Sequence, residues 1–177
     1  RFDFDKARWF NQQYLMAADN EKLAEKVRPI LQRHGHDPDA GFLAAFCGLM
    51  KERVEFYPDF WTQGYYFFEP VREYDEKTIR KKWKPERRPQ FEKLQAQLRD
   101  AGEAGWRDDA AVKGLVESFM ADTGLKFGDV LPILRIALSG ATKGPAVFEM
   151  MALLGREEVD RRLERALDAF DGITQAQ

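Results

Sequence analysis

Arg135 lies just upstream of a run almost free of side-chain bulk, Ser139-Gly140-Ala141-Thr142-Lys143-Gly144-Pro145. A guanidinium presents a planar fork of donors, which pairs with a base edge or a phosphate in a fixed geometry. Small residues leave the backbone N–H groups of the turn open. Pro145 suits the first turn of a helix, where its missing donor costs nothing. An arginine, an uncrowded turn and a helix start together make a place where RNA can lie close. Arg53 is a second candidate, set between an apolar run and the aromatic segment FYPDFW, with Tyr65-Tyr66-Phe67-Phe68 further on. Unstacked bases of single-stranded loops are read by such groups through stacking and edge hydrogen bonds. A third candidate is residues 71–90, where eight basic residues face four acidic ones and include Lys81, Lys82 and Lys84 around Trp83. A local excess of positive charge can follow a phosphate backbone, and the alternative is a solvated helix face.

The elements that must hold these groups read as helices. Val130, Ile133, Leu134, Ala137 and Leu138 recur at i, i+3, i+4, i+7 and i+8, the spacing of one buried helical face. Arg135 falls beside that stripe and should point out of the core. Further helices are expected over residues 5–16, over a segment ending near 34 and over 42–50. Others are expected in DFWTQGYYFF and over 87–100, 108–122 and 157–170. Asp19 or Asn20 can cap the second, Gly35 ends it, and Pro29 sits inside it. Gly124 suits a C-cap. Period-two alternation is nearly absent, so the fold class is all-α, in two packed helical subdomains. The boundary is expected in the charged stretch 70–84, giving 1–70 and 71–177.

Composition excludes several classes. The chain is 177 residues long, and 44% hydrophobic content with 14 Phe suffices for a core. It has no apolar run near the ~20 residues that span a bilayer and no signal peptide pattern, which points to the cytoplasm and to no membrane partner. The single cysteine, Cys47, rules out an internal disulfide framework and sits in an apolar run where burial is expected. Net charge of −2 argues against a general nucleic-acid binder. The chain opens on Arg1 rather than Met, so a piece of a longer protein is expected. His34-Gly35-His36 reads as a helix end, since a metal site there would have only Asp37 and Asp39 for company. No phosphate-cradling Gly-rich loop or nucleophilic triad is present.

The run LRIALSG, the following turn, Gly144-Pro145 and the segment ending in LLG, together with the opening FDFDKARWFNQQYL, resemble the C-terminal anticodon-binding region of bacterial-type glutamyl-tRNA synthetases. The resemblance covers about residues 2–168 and implies the rest of the reading. The full-length protein would be a glutamate–tRNA ligase, a class I enzyme attaching glutamate to its tRNA with ATP and Mg. The catalytic motifs of that family are absent here. This stretch alone should therefore hold no cofactor and catalyse nothing, meeting glutamate only through the missing catalytic domain. Its partner would be the anticodon loop of tRNA-Glu, and a monomer is expected. Residues 1–70 would hold a stem-contact remnant and a first anticodon-binding subdomain, and 71–177 a second. By residue, Arg53 matches an arginine that reads the third anticodon base, and an arginine rather than a glutamine there marks the type that rejects the glutamine tRNA. Arg135 matches an arginine near the first base. Gly144, Pro145 and Val147 match the turn and helix start contacting the first two. Gly144 departs from members with threonine, which leaves backbone groups or Thr142 to meet the middle base. Trp9 and Phe10 are expected in the core, Asn11 as a hydrogen-bonding residue at the junction, and Lys6 and Arg8 near phosphate.

Two other readings stand beside this one. The helical C-terminal region of a class I lysyl-tRNA synthetase shares the architecture, and the WFN opening with LRIALSG favours glutamate over it. Glutaminyl enzymes are excluded, because their anticodon region is a β-barrel. A helical protein-interaction module without RNA binding would instead pair both Arg53 and Arg135 with acids; the purely structural alternatives are an ion pair of Arg53 with Glu52, Glu55 or Asp59 and a surface charge at Arg135 near Glu149.

Overall fold

The computed structural model describes residues 2–176, and among them every regular element is helical. The chain divides into two compact units, Arg1–Glu69 and Pro70–Gln177.

The first unit holds α1 (Phe4–Ala17), α2 (Asn20–Arg33), α3 (Ala40–Met50) and α4 (Asp59–Gly64), followed by a 3-10 turn at Tyr65–Phe67. Aspartates set the starts of two of these helices. Asp3 accepts from the Lys6 backbone N–H at 3.1 Å and Asp39 from that of Phe42 at 2.8 Å, each satisfying a donor that a helix start leaves orphaned. Asp19 stands at the N-cap of α2 without a side-chain bond to it. Gly35, at φ +86°, turns the chain out of α2. Leu23, Val27, Ile30 and Leu31 of α2 pack on Leu43, Phe46, Cys47 and Met50 of α3, all buried. Each such side chain removed from water contributes roughly 1.5–3 kcal/mol.

Helix α1 departs from expectation. Only Leu15 of its residues is buried, whereas Trp9 and Phe10 are 55% and 56% exposed. Their apolar character foretold a cover, but no element of this unit supplies one. Asn11 is half-buried and makes a hydrogen bond, donating its side-chain amide to the Glu55 carbonyl.

The second unit begins with α5 (Glu76–Lys82), inside the charged stretch where no separate helix was expected, then a 3-10 turn at Pro85–Arg87. It continues through α6 (Arg88–Asp100), a 3-10 turn at Glu103–Trp106, α7 (Asp109–Thr123), α8 (Phe127–Ser139), α9 (Val147–Leu154) and α10 (Arg156–Gln175). Asp75 caps α5 through the Thr78 N–H at 2.8 Å, and Asp108 caps α7 through that of Ala111 at 2.8 Å. Gly124, at φ +74°, closes α7 as expected. The α8 stripe is buried throughout, as are Val159, Leu163, Ala166, Leu167 and Phe170 of α10, which packs along α5, α6, α8 and α9. Charge had masked α5 in the sequence. Its anchors are two residues, Ile79 at 0% and Trp83 at 3% exposure.

Candidate nucleic-acid interface

The C-terminal end of α8 is tied down from three sides. Gly140 leaves the helix at φ +79°, and a Cβ there would lie 2.1 Å from the Glu73 carbonyl oxygen. Only glycine permits that approach. The Gly140 carbonyl then accepts from the Asp75 backbone N–H at 2.8 Å. Ser139 Oγ donates back to the Arg135 carbonyl at 2.8 Å and accepts from the Ala141 N–H at 3.2 Å. Arg162, only 7% exposed, donates to the Leu138 carbonyl at 2.6 Å and to Glu158 at 2.9 Å. A cation at a helix C-terminus complements its dipole. Burial would push the Glu158 carboxyl up, but hydrogen bonds from Arg161 and Arg162 outweigh it and hold it below its ordinary value.

Arg135 is half-buried, and its guanidinium donates to the Pro145 carbonyl at 2.7 Å. That bond moves the helix start. Pro145 does not open α9; Ala146 is its N-cap and Val147 its first residue. With its carbonyl held by Arg135, Pro145 stays in the turn, and the first helical bond runs from Met150 N–H to the Ala146 carbonyl at 3.0 Å. Pro145 itself is buried, and Val147 is 4% exposed. Neither side chain can stack on a base as it stands, so these two shape the turn. Gly144 is half-buried, and Ala141, Thr142 and Lys143 are exposed.

The basic stretch sorts into two groups. Arg80 approaches Glu76 at 3.8 Å and donates to the Ala176 carbonyl at 2.6 Å, while Arg87 meets Asp129 at 3.0 Å. Arg88 binds Glu92, Asp168 and Asp171 at 2.5–2.8 Å. These arginines hold the unit together. Trp83, which stands among the lysines of this stretch in the sequence, is core. Its indole N–H donates to Asp171 at 2.8 Å, and its ring meets Phe91 and Phe170. Lys81, Lys82 and Lys84 are exposed and form no ion pair among the described residues. Lys81 and Lys82 close the last turn of α5, where positive charge also offsets the helix dipole.

A groove in this unit encloses about 280 Å³ and is lined by Thr78, Lys82, Leu131, Pro132, Arg135 and Thr142. It brings one expected phosphate contact and one expected base reader to a single place. No carboxylate lines it. Sequence reasoning did not find Thr78, Leu131 or Pro132 as its walls: Thr78 lies in the charged stretch, where no helix bounds were expected, and Leu131 and Pro132 fall outside the buried α8 stripe. Arg162 was missed too. Its place at i+3 from Val159, on the apolar face of α10, was the available sign.

In the first unit, Arg53 is exposed in the turn after α3. Its backbone N–H donates to the Met50 carbonyl at 2.9 Å and its guanidinium to the Leu49 carbonyl at 3.4 Å, over the helix end. None of the suggested carboxylates pairs with it. Asp59 accepts from the Glu55 and Phe56 N–H groups at 3.0 and 2.9 Å, and Glu55 lies 3.9 Å from Arg8. The aromatic segment packs inward. Tyr66 and Phe67 are 4% and 5% exposed, and the Phe67 and Phe68 rings lie 5.2 and 4.8 Å from that of Phe46. It fixes α3, at whose end Arg53 projects. His34 stacks on Trp61 at 4.0 Å, and His36 meets Glu69 at 2.9 Å. Among the described residues no cluster of His, Cys, Asp and Glu could hold a metal ion, and no helix is long and apolar enough to cross a membrane.

Residues 22–167 match the anticodon binding domain family. The glutamate–tRNA ligase of Porphyromonas gingivalis is 38% identical over 170 residues, which are 96% of this chain and 33% of that protein. The Phocaeicola vulgatus enzyme of the same name is 36% identical with the same coverage. Among solved structures, a glutamate tRNA ligase from Elizabethkingia meningosepticum, crystallised in complex with its amino acid, is similar with a TM-score of 0.88 at 30% identity. The match covers 96% of this chain and 33% of that one. The glutamate-tRNA synthetase of Elizabethkingia anophelis gives 0.84 at 30% identity, over 95% of this chain and 32% of that one. The chain thus spans about a third of the length of the relatives it matches. A match across most of its length, a helical fold shared with these solved structures and an arginine of α8 bonded to the turn that follows it lead to one assignment: the chain belongs to the anticodon binding domain family.

Proposed function

We propose that this chain is the anticodon-reading part of a glutamate–tRNA ligase, an ATP-dependent enzyme that attaches glutamate to tRNA-Glu. The observation that carries this reading is the match of 96% of the chain to proteins named glutamate–tRNA ligase. Arg53 reads the third anticodon base, and Arg135, with the turn through Gly144, Pro145 and Val147, meets the first two. Lys81, Lys82 and Lys84 meet phosphates. Support at Arg53 comes from its exposure and from the absence of any carboxylate partner among the described residues, which leaves its fork of donors available. An interaction module would have had that arginine paired. Thr142, exposed in the turn, has the hydroxyl that Gly144 lacks.

The test is binding of the chain to a tRNA-Glu anticodon stem-loop at low salt, beside a loop with its third anticodon base changed to G. Preference for the native loop, lost in Arg53→Gln, is the expected result. One bidentate base contact is worth roughly 1–3 kcal/mol of discrimination, by analogy with base-edge readout in DNA. Equal binding to both loops would remove Arg53 from the site. Absence of binding by a chain that circular dichroism shows to be folded would overturn the reading.

A further inference from the structure

We propose that the groove between α5 and α8 is a single-nucleotide subsite, in which Lys82 holds the phosphate of the same nucleotide whose base edge Arg135 meets. The inference rests on the anticodon reading above and singles out Lys82 from the other exposed lysines.

Four observations converge on it. The groove is lined by two cations, two hydroxyls and an apolar pair, Lys82 and Arg135, Thr78 and Thr142, Leu131 and Pro132. A nucleotide needs those three chemistries together: positive charge for phosphate, hydrogen-bonding groups for sugar and base edge, and an apolar floor for the ring. The volume, about 280 Å³, falls just below the roughly 300–1,000 Å³ of drug-sized sites, so one splayed nucleotide fits and a duplex does not. No carboxylate lines the groove, although the chain carries 30 acidic residues, so nothing in it repels an anion. Finally, α5 and α8 are joined where the groove is formed. The Asp75 N–H bonds the Gly140 carbonyl at 2.8 Å, and the Asp75 side chain caps α5 through Thr78 at 2.8 Å. Lys82 and Arg135 therefore stand on two elements clipped together by one residue. Lys81 and Lys84 do not line the groove. Thr78 and Thr142 add hydroxyls to the lining, each able to donate to or accept from a ribose or a base edge.

The experiment is a salt titration of stem-loop binding by the chain and by the Lys82→Gln, Arg135→Gln, double and Lys113→Gln variants. Lys113 sits on α7, 3.8 Å from Glu117, and serves as the remote control. Lys82→Gln should lower the slope of log K against log salt by about 0.7, the value for one phosphate of a single strand. Lys113→Gln should leave the slope unchanged. The double variant should lose less than the product of the single losses, by at least about twofold, as groups sharing one partner do. Lys82 is exposed, so its urea unfolding midpoint should shift only by the small loss of its charge at the end of α5, which separates binding from folding. An unchanged slope in Lys82→Gln, with binding weakened in Arg135→Gln, overturns the subsite and leaves the anticodon reading intact. Losses that multiply fully also overturn it, since Lys82 would then hold a different nucleotide. Failure of the parent chain to bind the loop at all would instead overturn the anticodon reading, and the subsite with it.

Discussion

Replacing Gly140 by alanine tests whether the close approach at the end of α8 determines both stability and the site. The residue sits at φ +79°, a region that costs a side chain about 1–2 kcal/mol. The added Cβ would lie 2.1 Å from the Glu73 carbonyl oxygen and 2.7 Å from a Val71 methyl. The first obstacle is backbone and cannot swing aside. Relief requires the 73–75 segment to move away, which stretches the Asp75–Gly140 hydrogen bond of 2.8 Å. Overpacking of this kind adds typically 1–3 kcal/mol. The expected loss is about 2–5 kcal/mol. Gly124 supplies the control, because it stands at φ +74° and a Cβ there would meet no atom within 4 Å. Gly124→Ala should therefore lose only the conformational share, about 1–2 kcal/mol. Urea unfolding followed by circular dichroism measures both. Equal losses in the two variants would refute the argument from close approach. A second readout follows from the clip between α5 and α8: stem-loop binding should weaken in Gly140→Ala and persist in Gly124→Ala under conditions where both are folded.

Three other perturbations have outcomes the contacts decide. Arg162→Met should cost about 3–5 kcal/mol in urea unfolding, because it strips the Leu138 carbonyl of its donor and leaves Glu158 with one fewer partner in a partly buried place. The Cys47 thiol, fully buried and pushed up to about 12 by that burial despite the nearby Lys51, should resist iodoacetamide at pH 8 in the native chain and react once urea unfolds it; mass spectrometry reads the adduct. Asp129 is held below its ordinary 3.8 by the Lys126 backbone N–H first and by Arg87 second. A carboxyl lowered on folding stabilises the fold above its unfolded value and loses that contribution as pH falls through the folded one. Stability should thus drop on acidification below about pH 4, and Asp129→Asn should flatten that part of a urea-midpoint profile.

The helices whose burial was legible in the sequence were those whose apolar spacing was complete; α1 was found over its expected span with only Leu15 buried. The stripe from Val130 to Leu138 and that from Val159 to Phe170 are each buried as the period requires, because a helix with one apolar face has one way to hide it. Helix α5 escaped because its seven residues carry one buried side chain, Ile79, and its anchor Trp83 lies just past its end, among lysines. Periodicity needs two turns to show, and charge density reads as solvent. Pro145 was placed one element too far on for a related reason: a proline before an apolar run permits a helix start, but whether it becomes one depends on its carbonyl, which Arg135 takes from ten residues upstream.

The two candidate arginines show how far spacing can carry a site. Arg135 was legible as a residue beside a buried stripe, and its side chain does leave the core. Its partner across the groove was not, since Lys82 and Arg135 stand 53 positions apart and line one groove because α5 and α8 pack together on α10 and the Asp75 N–H bonds the Gly140 carbonyl. Trp9 and Phe10 make the opposite point. Their apolar character led to the expectation of a core position, and both stand exposed. Local chemistry therefore nominates groups, and a few long-range backbone bonds decide which of them act together. In this chain one such bond is made at a glycine with no room for a Cβ, so Gly140, which does not line the groove, still helps to hold together the two helices that do.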